Sequence, residues 1–240
     1  MKIPDRPQDI FVPLTQDYLK IFNRELVALI IYGSAAGGSY IRGKSDINLL
    51  VVLTPAGLER MADALHTVRA WQKRRVAVPL VMSRDFLLSS LDSYPIEFLN
   101  MKNSHIVIYG ENILESITIR PEDLRLQIER ELRGKLILLR QGYWEAQGRA
   151  RGLKKLIGGS LTAFISIFNA LLFLKGEKSP PERRATIREM GRIFALDTAV
   201  FEQCADIKEG ANRLSPKAIE NVFNRYIREV EKICTLVDRL

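Results

Sequence analysis

Apolar residues recur along this chain in two rhythms, and the rhythm changes near residue 120. Up to that point, short β-branched runs alternate with patterns of helical period. The spacing predicts a helix over about Leu14 to Arg24, a strand over Leu26 to Tyr32, a turn, and a strand over Asp46 to Leu53. A helix from Ala56 to Ala70 and a strand from Arg75 to Met82 follow. Ser83 then caps a helix from about Arg84 to Leu91, and His105 to Tyr109 reads as a last short strand. Mixed elements of this kind imply a small sheet with helices packed on it.

From Pro121 onward only helical periods remain. Pro121 suits a first helical turn, and Glu122 and Asp123 complement its positive end. Leu124, Ile128, Leu132, Leu136, Leu139 and Tyr143 follow at spacings of three and four, with Glu129–Arg133 and Glu131–Lys135 as favourable pairs. A second long helix is expected over about Leu153 to Leu174, stopping before Gly176, Pro180 and Pro181. Shorter helices are expected around Glu182 to Phe194 and Asp197 to Lys208. Ser215-Pro216 opens a final one that carries Ile219, Val222, Phe223, Tyr226, Val230, Ile233 and Val237 on one side. The pattern therefore predicts an α+β chain: a small mixed-sheet domain over 1–119, then an all-α helical bundle over 120–240.

Leu156 to Leu174 is nineteen residues without a charge, enough to span a bilayer. Lysines flank both ends, so charge bias selects no orientation. Gly159, Thr162, Ser166 and Asn169 fall at spacings of three, four and three and make a polar stripe down one face. Such a stripe suits the central helix of a bundle, and no membrane partner is expected.

Composition refines this picture in two places. Net charge is +8, with 13 Lys/Arg against 12 Asp/Glu in residues 1–119 and 23 against 16 in residues 120–240. The basic excess lies mostly in Arg149 to Lys155 and Arg183 to Arg192; it suits solvated helix faces and can steer an anionic partner. The only cysteines, Cys204 and Cys234, have neither metal-ligand spacing nor a disulfide framework, and the first residues lack a signal-type apolar stretch. A reducing, cytoplasmic setting is the expectation.

The candidate chemistry sits in Ile30-Ile31-Tyr32-Gly33-Ser34 and, eleven residues on, Asp46-Ile47-Asn48-Leu49-Leu50-Val51-Val52. A strand runs into a Gly-Ser turn. A second strand then places Asp46 and Asn48 on one face, because strand side chains alternate. Gly33 lets backbone approach a phosphate without a Cβ clash. Ser34 adds a hydroxyl and, if a helix begins there, N–H groups at its N-terminus. A dinucleotide-binding G-x-G-x-x-G is absent, and Gly37-Gly38 does not supply it.

This combination resembles the polymerase-beta-like nucleotidyltransferase superfamily, closely over Leu26 to Leu53 and loosely through Tyr94 to Leu99 and Val107 to Asn112. The bundle resembles the helical second domain of kanamycin-type members. The resemblance implies that Gly33 and Ser34 hold the triphosphate of an NTP. It implies that Asp46 and position 48 hold Mg2+, with Asp46 catalytic, and that a nucleoside monophosphate passes to a hydroxyl acceptor whose identity it leaves open. No motif points to nucleic acid.

Two departures qualify that implication. Family members usually carry a second acid where Asn48 stands, and a neutral amide brings no charge to hold two metals. They also place a third acid on a following strand, whereas Arg75 to Met82 contains none. Asp85 and Glu97 are the nearby carboxylates available to replace it, although Asp85 reads more naturally as part of a helix start. Transfer is expected to be weak or lost, and the alternative is a catalytically silent nucleotide- or protein-binding regulatory module. His66 and His105, the only histidines, have no motif partners. Their absence from 120–240 argues against a HEPN-type ribonuclease bundle.

Overall fold

The computed structural model describes residues 2–180, 182–211 and 214–240. Pro181, expected in the break after the second long helix, lies outside the described residues. The chain divides into two compact units, Met1–Ile119 and Arg120–Leu240.

The first unit holds a four-stranded sheet of β1 (Leu26–Tyr32), β2 (Asn48–Leu53), β3 (Leu80–Met82) and β4 (His105–Gly110) in the order β3-β2-β1-β4. β1 runs antiparallel to β2 and β4, while β2 and β3 are parallel, so the sheet is mixed, as the pattern predicts. Leu29, Ile31, Leu49, Val51 and Leu53 form one face. They cluster with Leu14, Tyr18 and Phe22 of α1 (Phe11–Phe22) and with Trp71 of a later helix. Ala28, Ile30, Leu50 and Val52, on the other face, are buried too. Double-sided burial explains why β1 and β2 read as near-continuous apolar runs rather than alternations. Gly110 closes β4 with φ +76, and a Cβ there would lie 1.9 Å from Val27 O, a contact that only glycine escapes.

Four local expectations need correction. The helix expected over Ala56 to Ala70 is three pieces: α2 (Pro55–Glu59), a 3-10 turn (Met61–Ala64) and α3 (Leu65–Gln72). Arg60 leaves helical geometry at φ −100°, ψ 15°, where its guanidinium donates to Ile21 O (2.7 Å) and Asp63 (3.1 Å). The strand expected from Arg75 survives only as Leu80–Met82 plus one bridge, Ile47 to Val76. Pro79 has no N–H to give, and one extra residue enters between the pairs Ile47–Val76 and Leu50–Leu80. β2 begins at Asn48, so Asp46 precedes the strand. Finally, α4 (Arg84–Ser89) is followed by α5 (Pro95–Asn103), a helix not expected from the pattern, and α6 (Ile113–Ser116) follows β4.

The second unit is a helical bundle of α7 (Pro121–Glu145), α8 (Ala150–Leu174), α9 (Arg183–Phe194), α10 (Thr198–Glu209) and α11 (Pro216–Val237). α8 is long and apolar enough to cross a membrane; here it packs against all four other helices. Its Phe164 and Phe168 join Phe201 and Tyr226 in an edge-to-face cluster with centroids 5.2–5.7 Å apart. Its polar stripe meets its neighbours: Lys208 donates to Thr162 Oγ1 (2.6 Å), and Thr186 to Asn169 Oδ1 (3.3 Å). Burial pushes the Tyr226 phenol well up, and its oxygen lies 3.0 Å from Ser160 Oγ.

Candidate functional site

β1 ends and β2 begins at the same end of the sheet, with Tyr32 and Asn48 as the last antiparallel pair. Gly33 leaves β1 with φ +74, and a Cβ there would lie 3.0 Å from Asn48 Nδ2. Strand pairing thus brings the Gly-Ser turn and Asn48 together. The turn is clamped from the start of β4. Gly33 N–H donates to Ser104 O (3.0 Å), and Ser104 Oγ donates to Gly33 O (3.1 Å).

Ser34 lies in a three-residue 3-10 turn, Gly33–Ala35, and not at the start of an α-helix. The N–H groups of Ala36 and Gly37 both donate to Gly33 O (2.9 Å each), so the conditional expectation of a helix N-terminus for phosphate fails at this turn. The Ser34 hydroxyl and the Asn48 amide, both half-buried, have no hydrogen-bond partner among the described residues. They are two free polar groups beside one turn.

Asp46 is in a different condition. It is exposed, and its Oδ1 accepts from Arg75 Nη1 at 3.0 Å, while Arg75 Nη2 donates to Gly43 O at 2.7 Å. The Ile47–Val76 bridge enforces this pairing, since Asp46 and Arg75 immediately precede the bridged residues. Arg75 holds a left-handed backbone, φ 66°, at a cost of about 1 kcal/mol for a residue with a Cβ. The loop before Asp46 carries Arg42, paired with Asp5 at 2.8 Å, and Lys44. Tyr40 donates to Pro4 O (3.1 Å) and senses Arg42, Arg75, Asp5 and Asp46; burial raises its phenol pKa.

Magnesium favours hard oxygen ligands, and a two-metal centre needs several carboxylates to offset four positive charges. Asp46 is the only carboxylate on these strand ends and is already neutralised by a guanidinium. Among the described residues no group of three or more His, Cys, Asp or Glu is placed to hold a metal. The residues present do not fit a two-metal centre.

Neither candidate replacement acid repairs this. Asp85 follows β3 in the first turn of α4, beyond the pair Val52–Met82, and so sits at the opposite end of β2 from Asp46. There it lines a shallow pocket of about 280 Å³ with Val27, Leu53, Thr54 and the ion-paired Arg84 and Glu111. Glu97 is exposed in the first turn of α5, about two helical turns before the Ser104 that clamps Gly33. His105 is structural: Nδ1 lies 2.9 Å from Lys102 O and Nε2 3.0 Å from Asn112 Oδ1. His66 is exposed on α3.

Two contributors escaped the sequence. Ser104 carries no motif signal. Arg75 carried a faint one, as the residue that opens the segment expected to form the next strand.

No family model and no curated protein matches the sequence. Among solved structures the chain is similar to spectinomycin adenyltransferase AAD(9) from Enterococcus faecialis, determined with ATP and spectinomycin. The TM-score is 0.58 at 12% identity, over 92% of this chain and 98% of that one. An α+β nucleotidyltransferase fold is therefore shown, and at that identity the likeness extends to the fold alone.

Proposed function

We propose that this chain is a nucleotide-binding protein of nucleotidyltransferase fold in which transfer of a nucleoside monophosphate is weak or lost. One observation carries the reading: the acid expected to anchor metal, Asp46, is spent on Arg75, while position 48 offers only an amide. The triphosphate is assigned to the Gly33–Ser34 turn, with the free Ser34 hydroxyl and Asn48 amide as hydrogen-bonding groups. Positioning and electrostatic stabilisation make up almost all of phosphoryl-transfer catalysis, so a site without metal-holding charge retains binding more readily than turnover.

A second reading, magnesium-dependent transfer to a hydroxyl of a small acceptor, draws on the exposure of Asp46 and on the ATP and spectinomycin bound to AAD(9). Titration calorimetry of ATP with magnesium, beside a pyrophosphate-release assay, separates the two. The first reading expects ATP binding with at most trace pyrophosphate. It also expects tighter magnesium-dependent binding by Asn48→Asp, since a second carboxylate favours the cation. Brisk magnesium-dependent pyrophosphate release by the unaltered protein would overturn it in favour of the transferase.

A further inference from the structure

We infer that Arg75 takes the electrostatic place of a divalent cation at this site, so that the phosphate chain of the ligand is bound without metal. The inference rests on the nucleotide-binding reading above and adds the source of the positive charge.

Three features point to Arg75. The first is placement: the parallel bridge Ile47–Val76 sets its side chain beside the only acid of the two strand ends, at the sheet end that also carries the Gly-Ser turn and Asn48. The second is preorganisation. Asp46 takes Nη1 and Gly43 O takes Nη2, which aims the guanidinium and leaves Nε without a hydrogen-bond partner among the described residues, on a side chain 40% exposed. Asp46 is in this view a positioning residue for Arg75 and not a metal ligand. The left-handed backbone of Arg75, φ 66°, is unusual for a residue with a Cβ and marks a constrained position.

The third feature is the sign of the local charge. Over the loop and the two strand ends the charges are Arg42, Lys44 and Arg75 against Asp46, with Asp5 of the N-terminal segment paired to Arg42. A net positive site repels Mg2+ and attracts phosphate. A guanidinium stays charged at every physiological pH and hydrogen-bonds phosphate oxygens in a fixed planar geometry. With the free hydroxyl of Ser34 and the amide of Asn48, the donor set suits a di- or triphosphate ester.

The test titrates ATP, and separately inorganic triphosphate, into the full chain in EDTA and again in magnesium, using the unaltered protein, Arg75→Gln and Arg75→Lys. Binding by the unaltered protein should agree within about twofold between the two buffers and weaken about tenfold in Arg75→Gln, with Arg75→Lys between them, as expected for one charge-assisted contact. Thermal unfolding of each variant checks folding. Should Arg75→Gln fail to fold, the EDTA comparison on the unaltered protein decides alone. Binding seen only with magnesium overturns the inference and leaves the nucleotide reading intact. Equal affinity of Arg75→Gln and the unaltered protein also overturns it. Absence of ATP binding in both buffers removes the nucleotide reading and this inference together.

Discussion

Arg184 in the bundle and Arg75 at the sheet end are both ion-paired arginines, yet their surroundings differ in kind. Arg184 on α9 meets three carboxylates of α10: Glu202 (2.5 Å), Asp206 (2.8 Å) and Glu209 (2.6 Å). Those hydrogen bonds, Glu209's first, raise its pKa above the ordinary arginine value. Arg75 meets one carboxylate and one carbonyl, at the sheet end that also carries the Ser34 hydroxyl and the Asn48 amide, neither hydrogen-bonded among the described residues. The first arrangement saturates a cation and ties two helices together. The second leaves donors available at the surface. Polar groups satisfied by one another brace a fold, whereas polar groups left free beside a held charge are available to a ligand.

Removing Arg184 is the strongest way to probe this contrast. Arg184→Ala removes the cation that the three carboxylates share and leaves the α9–α10 link to two longer pairs, Arg183–Glu209 (3.5 Å) and Arg188–Glu202 (3.7 Å). The side chain is partly exposed, so the loss falls between that of a surface pair and a buried one, roughly 1–3 kcal/mol. Urea unfolding of the two proteins at neutral pH measures it. A change below a few tenths of a kcal/mol would show that the network is ornamental and that the contrast with Arg75 fails.

A smaller effect is expected at Asp197, the N-cap of α10. Its Oδ1 accepts from Ala199 N–H (3.1 Å) and its Oδ2 from Arg225 Nη2 (2.6 Å). Arg225's hydrogen bond is the main cause of a carboxyl pKa held below the usual aspartate value. Because the folded pKa is the lower one, this contribution is present above about pH 4, the unfolded value, and is lost as pH falls through the folded pKa. Asp197→Ala should therefore cost about 1 kcal/mol at pH 7, the usual worth of an N-cap, with the gap to the parent narrowing below about pH 4. A gap that widens on acidification would contradict the assignment.

How far the sequence carried depended on the range of the interactions involved. β1 and the long helices α7, α8 and α11 were legible because runs of Leu and Ile, or repeats at three and four, specify an element from its own residues. Arg60 breaking the helix after β2 was not, since its partner Ile21 O lies thirty-nine residues away. α5 was hidden because its residues are buried nearly all round, so no helical stripe stands out in Pro95-Ile96-Glu97-Phe98-Leu99. The closeness of Gly33 and Asn48 followed from the Gly-Ser turn and the strand behind it. Arg75 beside Asp46 required the parallel pairing of two segments about thirty residues apart, which local pattern does not encode.

The smallest effect on stability, and the sharpest test of the comparison, belongs to Ser34. Its hydroxyl bonds nothing among the described residues, and the turn around it is held by backbone and Ser104 contacts that do not involve its side chain. Ser34→Ala should change stability by less than about 0.5 kcal/mol, as surface substitutions away from structural features do. The same substitution should weaken ATP binding by about tenfold or more, the range for one hydrogen bond lost to a charged phosphate. Parallel thermal unfolding and ATP titration read both quantities from one preparation. A Ser34→Ala protein destabilised as much as Asp197→Ala, with ATP affinity unchanged, would place Ser34 among the structural polar groups and leave the sheet end without its free hydroxyl as a ligand contact.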